Sequence, residues 1–376
     1  MSPDDCSEAL YIGIMSGTSL DGVDVVLVDF SPSYPNLIHS LCLPYPAELK
    51  AELALLAQPG ANEIERLGLA EADLADCYAH AVQLLLQQSG IDRSRIRAIG
   101  CHGQTIRHRP NARQPFSYQI GDQHRLAMLT QIPVIADFRR KDIAYGGQGA
   151  PLVPAFHQAI FAAKTQGRCI LNIGGIANIT LLLPHQQVQG FDTGPGNCLL
   201  DNWIELQQGE AYDANGTYAA SGRLDAALLG VLLSDPYFSQ IGPKSTGREY
   251  FQLTWLQQQL KQLQAVTGYM PAPADVQRTL SRFTAGTIAL AVSRFVVSEI
   301  YVCGGGAHNA VLLQDLAELL PQCQVNTTAS LGVHPDWVEA MAFAWLAYAY
   351  DEQIPGNVPA VTGASQALVL GVRYTP

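Results

Sequence analysis

Ser16-Gly17-Thr18-Ser19-Leu20-Asp21-Gly22 separates two apolar runs, the second reaching from Val23 to Phe30. The pattern predicts strand, tight turn and strand, with a tip too rich in Gly, Ser and Thr to serve only as a connector. Backbone amides at Gly17 and Gly22, with the Thr18 and Ser19 hydroxyls, form a nest suited to phosphate oxygens. Asp21 would repel bare phosphate, so it fits there with a divalent cation or its water shell in between. An ordinary Asp-Gly turn accounts for the same seven residues. The rest of the chain bears on the choice.

After this hairpin, Ala61 to Gln88 has helical spacing, with Leu67, Leu74, Tyr78, Ala81 and Leu85 on one side. A short buried strand, Ile96 to Gly100, is expected to end in Cys101-His102-Gly103-Gln104-Thr105. Another, Ile132 to Ala136, ends in Asp137-Phe138-Arg139-Arg140-Lys141-Asp142. Polar residues gathered at strand ends mark the ligand side of an α/β sheet. Gly146-Gly147-Gln148-Gly149 follows as a loop before a helical stretch from Pro154 to Ala163, and the domain junction is expected there.

The second half restarts in the same way. Cys169 to Ile173, the turn Gly174-Gly175 and Ala177 to Leu183 read as a second glycine-tipped hairpin. Val188 to Phe191 runs into Asp192-Thr193-Gly194-Pro195-Gly196-Asn197, with a helix starting near Cys198. Ala285 to Val297 reads as an apolar helix, and Glu299 to Cys303 as a strand meeting Gly304-Gly305-Gly306-Ala307-His308-Asn309. Helices are expected from Ala310 to Leu320 and from Pro335 to about Tyr350. The reading is two related α/β domains, 1–150 and 151–376, with the last helices packing back on the first and a cleft between the two.

The chain has 376 residues, 48% hydrophobic and 15% charged, which suits a two-domain globular protein. A net charge of −11 argues against nucleic acid or an anionic membrane as partner, so phosphates must be held by amides and metal. Asp4, Asp5 and Glu8 precede any apolar run, which does not suit a signal peptide, and Ala340 to Tyr350 is too short to span a bilayer. Eight cysteines without a CxxC pair suit reduced thiols in the cytoplasm and no zinc site.

Two glycine-tipped hairpins, an Asp-Thr-Gly turn and a triple-glycine turn together describe one nucleotide gripped from two sides. The hairpins would hold the phosphates, and Gly304–Gly306 would let the backbone approach adenine and ribose; a plain strand-to-helix connector is the other account of that turn. Asp192 ends a buried strand among residues that keep the backbone open. Its carboxylate either accepts a proton from an attacking hydroxyl or water, caps its own turn, or orders a metal's water shell.

Seven blocks carry a resemblance to a known family: Ile14–Asp24, Cys101–Thr105, Asn172–Asn178, Phe191–Asn197, Gly242–Phe251, Cys303–Asn309 and Trp337–Phe343. Together they resemble anhydro-N-acetylmuramic acid kinase, of the sugar kinase, Hsp70 and actin superfamily, over almost the whole chain. The resemblance implies two duplicated actin-like (ribonuclease H-like) domains with an interdomain nucleotide cleft. It also implies a homodimer that uses ATP, Mg2+ and water on 1,6-anhydro-N-acetylmuramic acid in cell-wall recycling.

Carried onto this sequence, Gly17, Thr18, Ser19, Leu20, Asp21, Gly22, Val23 and Asp24 form the first ATP loop, and Gly174 and Gly175 the second. Gly304, Gly305, Gly306 and Asn309 complete the nucleotide site, with Asp21 reaching the metal through water. Asp192 matches the general base, and Glu339 a glutamate facing the sugar. His102, Asp122 and Arg139 are expected near the sugar too, with Arg139 suited to bidentate pairing with the lactyl carboxylate. Plainer roles exist for three of these: a structural histidine at His102, a surface cation at Arg139 and a solvated helix carboxylate at Glu339. The rival functions are a kinase of another sugar on the same fold, and a non-enzymatic ATP-binding filament or chaperone-like protein.

Overall fold

The computed structural model describes residues 8–32, 34–240, 244, 246–247 and 250–376. The acidic N-terminal residues Asp4 and Asp5 lie outside them, as do Gly242, Pro243, Ser245, Arg248 and Glu249 of the Gly242–Phe251 block. The chain divides into two compact units, 1–160 with 337–376, and 161–336.

In the first unit, β1 (Leu10–Ser16) and β2 (Val23–Asp29) form the antiparallel hairpin, and β3 (Asn36–Leu43) pairs antiparallel with β2. β4 (Ile96–Arg109) runs parallel to β1, β5 (Phe116–Ile120) pairs antiparallel with the far end of β4, and β6 (Val134–Ala136) lies parallel to β4. A terminal strand, Val372–Tyr374, closes the edge on β6, so the order is terminal strand, β6, β4, β1, β2, β3.

Side chains alternate along β1. Leu10, Ile12 and Ile14 join the core under the helix Glu63–Ser89, which supplies Leu74, Tyr78, Ala81 and Leu85. Gly13 faces the other way, onto the helix Val338–Asp351. A Cβ on Gly13 would sit 2.0 Å from the Ala340 carbonyl oxygen, and one on its β4 partner Gly100 would sit 1.9 Å from that of Phe343. The two glycines thus form a floor on which helix backbone rests directly on sheet backbone. Trp345 of this helix also meets Phe156 (ring centroids 6.2 Å apart) of the helix Val153–Phe161. These contacts give residues 337–376 to the first unit, and the junction at 160/161 falls later than the expected 150/151.

In the second unit, β7 (Arg168–Ile173), β8 (Ile176–Leu182) and β9 (Gln189–Pro195) form an antiparallel meander. β10 (Glu299–Cys303) runs parallel to β7, and β11 (Gln324–Thr327) parallel to β10. The order β11-β10-β7-β8-β9 repeats, strand for strand and direction for direction, the β6-β4-β1-β2-β3 of the first unit. Three antiparallel strands followed by two parallel ones, present twice, make this a duplicated actin-like, ribonuclease H-like fold.

Four elements differ from expectation. β9 does not end at Phe191 but runs through Asp192 to Pro195, because β8 supplies its ladder that far. β4 does not stop at Gly100 but continues to Arg109, because residues from Gln104 onward pair with β5. His102 and Gln104 therefore lie on a strand, with Gly103 at φ +76° within it. The apolar helix covers Pro273–Val292: its first turns carry Arg278 and Arg282, which reach the buried Asp315 at 2.7 and 3.0 Å and so mask the helical period. Pro335 opens a 3-10 turn, Pro335–Trp337, and the α-helix begins at Val338.

Candidate active site

The β1–β2 tip is held by a buried polar ladder. The Ser16 hydroxyl lies 2.6 Å from the Tyr78 hydroxyl and donates to the Gly103 carbonyl at 3.2 Å. Gln104 accepts from the Tyr45 hydroxyl and donates Nε2–H to the Gly17 carbonyl, each at 3.2 Å. Leu20 takes φ +57° and donates its amide to the Gly17 carbonyl, while its side chain and that of Val23 enter the core. These two residues thus offer a ligand only backbone. Thr18 and Asp21 are exposed, and Gly17 and Ser19 half-buried. Gly22 is required by packing, because a Cβ would meet the Leu43 carbonyl oxygen at 2.8 Å. Asp24 lies opposite Cys42 of β3 in the ladder. The ladder itself (Ser16, Tyr45, Tyr78) leaves no mark in the sequence, because its members are far apart in the chain.

His102, Arg139 and Glu339 are brought together in the first unit. Arg139 donates from Nε and Nη2 to His102 Nε2 at 3.1 and 2.9 Å, and from Nη1 to the Gly149 carbonyl at 2.8 Å. Burial pulls the guanidinium down to about 10, with the charges of Glu339 and Asp142 opposing, so it stays a cation at neutral pH. Burial and the Arg139 charge hold His102 well below the usual imidazole range. Two donors on Nε2 fix its tautomer: the proton sits on the buried Nδ1, on the side of the Ser16 and Gly103 backbone. The ring packs on Phe343 with centroids 4.6 Å apart. His102 therefore orients Arg139 and has no lone pair to offer as a base. Glu339 is half-buried in the first turn of the helix Val338–Asp351. Asp122 caps the helix Gln123–Thr130, its Oδ1 accepting the Arg125 amide at 2.9 Å.

In the second unit Asp192 lies on β9, opposite Asn178 of β8 at a break in the register. Its backbone is held from both sides. The amide donates to the Lys244 carbonyl at 3.0 Å, and the carbonyl accepts from the Tyr237 hydroxyl at 3.1 Å. The Thr246 amide donates to Asp192 Oδ2 at 3.0 Å. Burial and the Asp192 charge both push the Tyr237 hydroxyl up, which puts that hydroxyl close to the carboxylate. The Lys244 ammonium lies over the Tyr237 ring, 4.1 Å from its centroid. Asp192 itself is half-buried, so its carboxylate has both protein partners and access. Tyr237, Lys244 and Thr246 escape a reading of the sequence because nothing in their spacing links them to Asp192.

The tip between β7 and β8 is fastened to the same segment. The Gly174 carbonyl accepts from Asn197 N, and the Gly175 carbonyl from Gly196 N and Cys198 N, at 2.8 to 3.1 Å. The triple-glycine turn lies against the end of β7. A Cβ on Gly304 would sit 2.4 Å from Asn172 Oδ1, and one on Gly306 would sit 2.4 Å from Ile173 Cγ2. Gly305 differs, for its nearest neighbour would be Asn197 Nδ2 at 3.6 Å, an ordinary contact. Asn309 is buried and caps the helix Ala310–Leu319 through the Leu312 amide at 3.1 Å. A groove of about 450 Å³ near Leu43, Pro46, Asp73, Asp76, Cys77 and His80 includes none of the expected residues.

A sequence model of one family, described as anhydro-N-acetylmuramic acid kinase, matches residues 9–376. The chain belongs to that family. Its relatives include the anhydro-N-acetylmuramic acid kinase of Saccharophagus degradans, 52% identical over 372 residues, which are 98% of this chain and 99% of the relative. That of Shewanella loihica is 54% identical over 367 residues, 97% and 98% of the two chains. That of Pasteurella multocida is 49% identical over 367 residues, 97% and 96%. Membership makes the chain a kinase, a phosphotransferase with an alcohol group as acceptor. Among the described residues no group of three or more His, Cys, Asp or Glu gathers to hold a metal. No helix among them is long and apolar enough to cross a membrane, and their seven cysteines are all free.

Proposed function

We propose that the chain converts 1,6-anhydro-N-acetylmuramic acid, ATP and water to N-acetylmuramic acid 6-phosphate and ADP. The carrying observation is the Asp192 carboxylate, fixed on β9 by the Thr246 amide and next in sequence to the segment that fastens the Gly174-Gly175 tip. In this reading the tips Gly17–Asp21 and Gly174-Gly175 are the phosphate loops, and their amides spread charge on the phosphoryl oxygens. The Gly304–Gly306 turn takes adenine and ribose, with Gly305 against the ligand.

Asp192 accepts a proton from water as the water oxygen bonds to C1 of the sugar. The C1–O6 bond breaks, O6 takes the γ-phosphoryl group, and the β,γ-bridging oxygen leaves with ADP. A kinase ordinarily keeps water out; here one molecule is a substrate and must be held in place. Arg139 would pair its remaining N–H groups with the lactyl carboxylate, beside Glu339. A magnesium ion travelling on ATP keeps several waters and needs only one or two protein carboxylates. The exposed Asp21 fits that need, and the ion would supply charge neutralisation. A homodimer in the cytoplasm is part of this reading, and sedimentation equilibrium checks its stoichiometry.

The test is turnover with ATP, magnesium and the anhydro sugar in ¹⁸O-labelled water. Label at C1 of a 6-phosphorylated product supports both halves of the reaction. Phosphorylation without label at C1 rejects the coupled opening. Turnover of other sugars but not of this one favours the other-sugar kinase.

A further inference from the structure

Asp142 is fully buried, although it closes the charged run Asp137 to Asp142. Its carboxylate accepts three hydrogen bonds from two separate stretches. Oδ1 takes Asn357 Nδ2 at 2.7 Å and the Thr362 hydroxyl at 2.8 Å, and Oδ2 takes the Gly149 amide at 2.8 Å. Its own carbonyl accepts the Gly147 amide at 2.9 Å. The partners are themselves fixed: Asn357 Oδ1 accepts the Leu368 amide, and the Thr362 carbonyl accepts the Gln148 amide. A Cβ on Gly147 would fall 2.1 Å from Asp142 Oδ2, so the turn wraps the carboxylate closely.

The residue pinned by Oδ2 is the one whose carbonyl receives Arg139 Nη1. Three of the five Arg139 N–H groups are committed, two to His102 Nε2 and one to Gly149. The two left, one on each terminal nitrogen, point where this frame points them. We infer that Asp142 is a positioning residue for acceptor binding: by fixing the Gly149 carbonyl it sets the guanidinium plane that Arg139 offers to a carboxylate on the sugar. This rests on the assignment of Arg139 to the lactyl carboxylate. A carboxylate replaced by carboxamide sets an N–H₂ against at least one of the donors now aimed at it, so the turn and its carbonyl must shift.

The test compares wild type with R139A, D142N, the double variant, T362V and T362S in the full chain. Calorimetry gives affinity for 1,6-anhydro-N-acetylmuramic acid and for 1,6-anhydro-N-acetylglucosamine, which lacks the lactyl carboxylate. D142N is expected to weaken the acid sugar about tenfold or more, and the carboxyl-free sugar less than about twofold. It should raise KM with kcat within about threefold, and add nothing to R139A. T362V should repeat the selective loss in smaller measure and T362S restore it. This pair decides the matter if melting curves show D142N unfolded. Equal losses on both sugars, or losses that add to those of R139A, overturn the inference and leave Asp142 a structural staple. If R139A discriminates between the sugars and D142N and T362V do not, this inference alone fails. If R139A treats both sugars alike, the carboxylate assignment fails and takes the inference with it.

Discussion

Gly13→Ala tests the floor on which the helix Val338–Asp351 rests. The added Cβ would lie 2.0 Å from the Ala340 carbonyl oxygen and 2.7 Å from the Ala344 amide nitrogen. Ordinary contact begins at 3.4 Å, so helix and strand must part by about 1.4 Å. Both opposing atoms are backbone, and no rotamer can relieve them. Overpacking usually costs about 1–3 kcal/mol, and a rigid neighbour puts this site at the upper end or beyond. A loss of about 3 kcal/mol corresponds to roughly 6–12 °C in melting temperature for a unit of this size. Gly68 is the control: it lies exposed in the helix Glu63–Ser89, where an added Cβ would have nothing within 4 Å. Gly68→Ala should gain roughly 0.5–1 kcal/mol from helix propensity. Calorimetric melts of both variants check the pair. A Gly13→Ala protein melting within about 2 °C of wild type would refute direct backbone packing.

Asp192→Asn should lower kcat by roughly 10²–10⁴-fold and leave ATP affinity nearly unchanged; steady-state kinetics with nucleotide titration measures both. Gly305→Val should raise the KM for ATP at least about fivefold without lowering the melting temperature, because the site is sterically open until nucleotide arrives. Equilibrium unfolding against pH should expose His157, which is 3% exposed and held down to about 3 by burial. Between that value and the ordinary 6.5 the unfolded chain binds a proton that the folded chain refuses. Its stabilisation is complete above 6.5 and declines as pH falls, by about 1.4 kcal/mol per pH unit. His157→Gln should flatten the profile by that amount, and an unchanged slope rejects the assignment.

The sequence is most readable where chemistry and local geometry coincide. Both hairpin tips and the triple-glycine turn lie where their glycines and strand patterns put them, whereas Asp192, expected in a turn, lies within β9, which runs on to Pro195. Reading stops where tertiary partners set the structure. The stretch from Gln104 to Arg109 carries Arg107, His108 and Arg109 and has no apolar run to mark a strand, yet β5 supplies its ladder. β3 escapes notice because its burial alternates without a sustained apolar run. His102 and Arg139 are 37 residues apart, and no local spacing joins them. Asp142 is hidden by its neighbours Arg140 and Lys141, since a charge run gives no sign of which member turns inward. Asp122 shows the converse: its capping role is legible from its position before a helix.

The return of residues 337–376 to the first unit bears on synthesis. The second unit is one unbroken segment and has all its strands and helices once residue 336 has left the ribosome. The first unit, although begun earlier, lacks the helix that covers Gly13 and Gly100 until residues 338–351 have been made. Its early sheet must wait with one side bare, so the later-made half is the first that can mature. A nascent chain held with residue 336 just outside the exit tunnel should resist protease in its second unit and yield in its first.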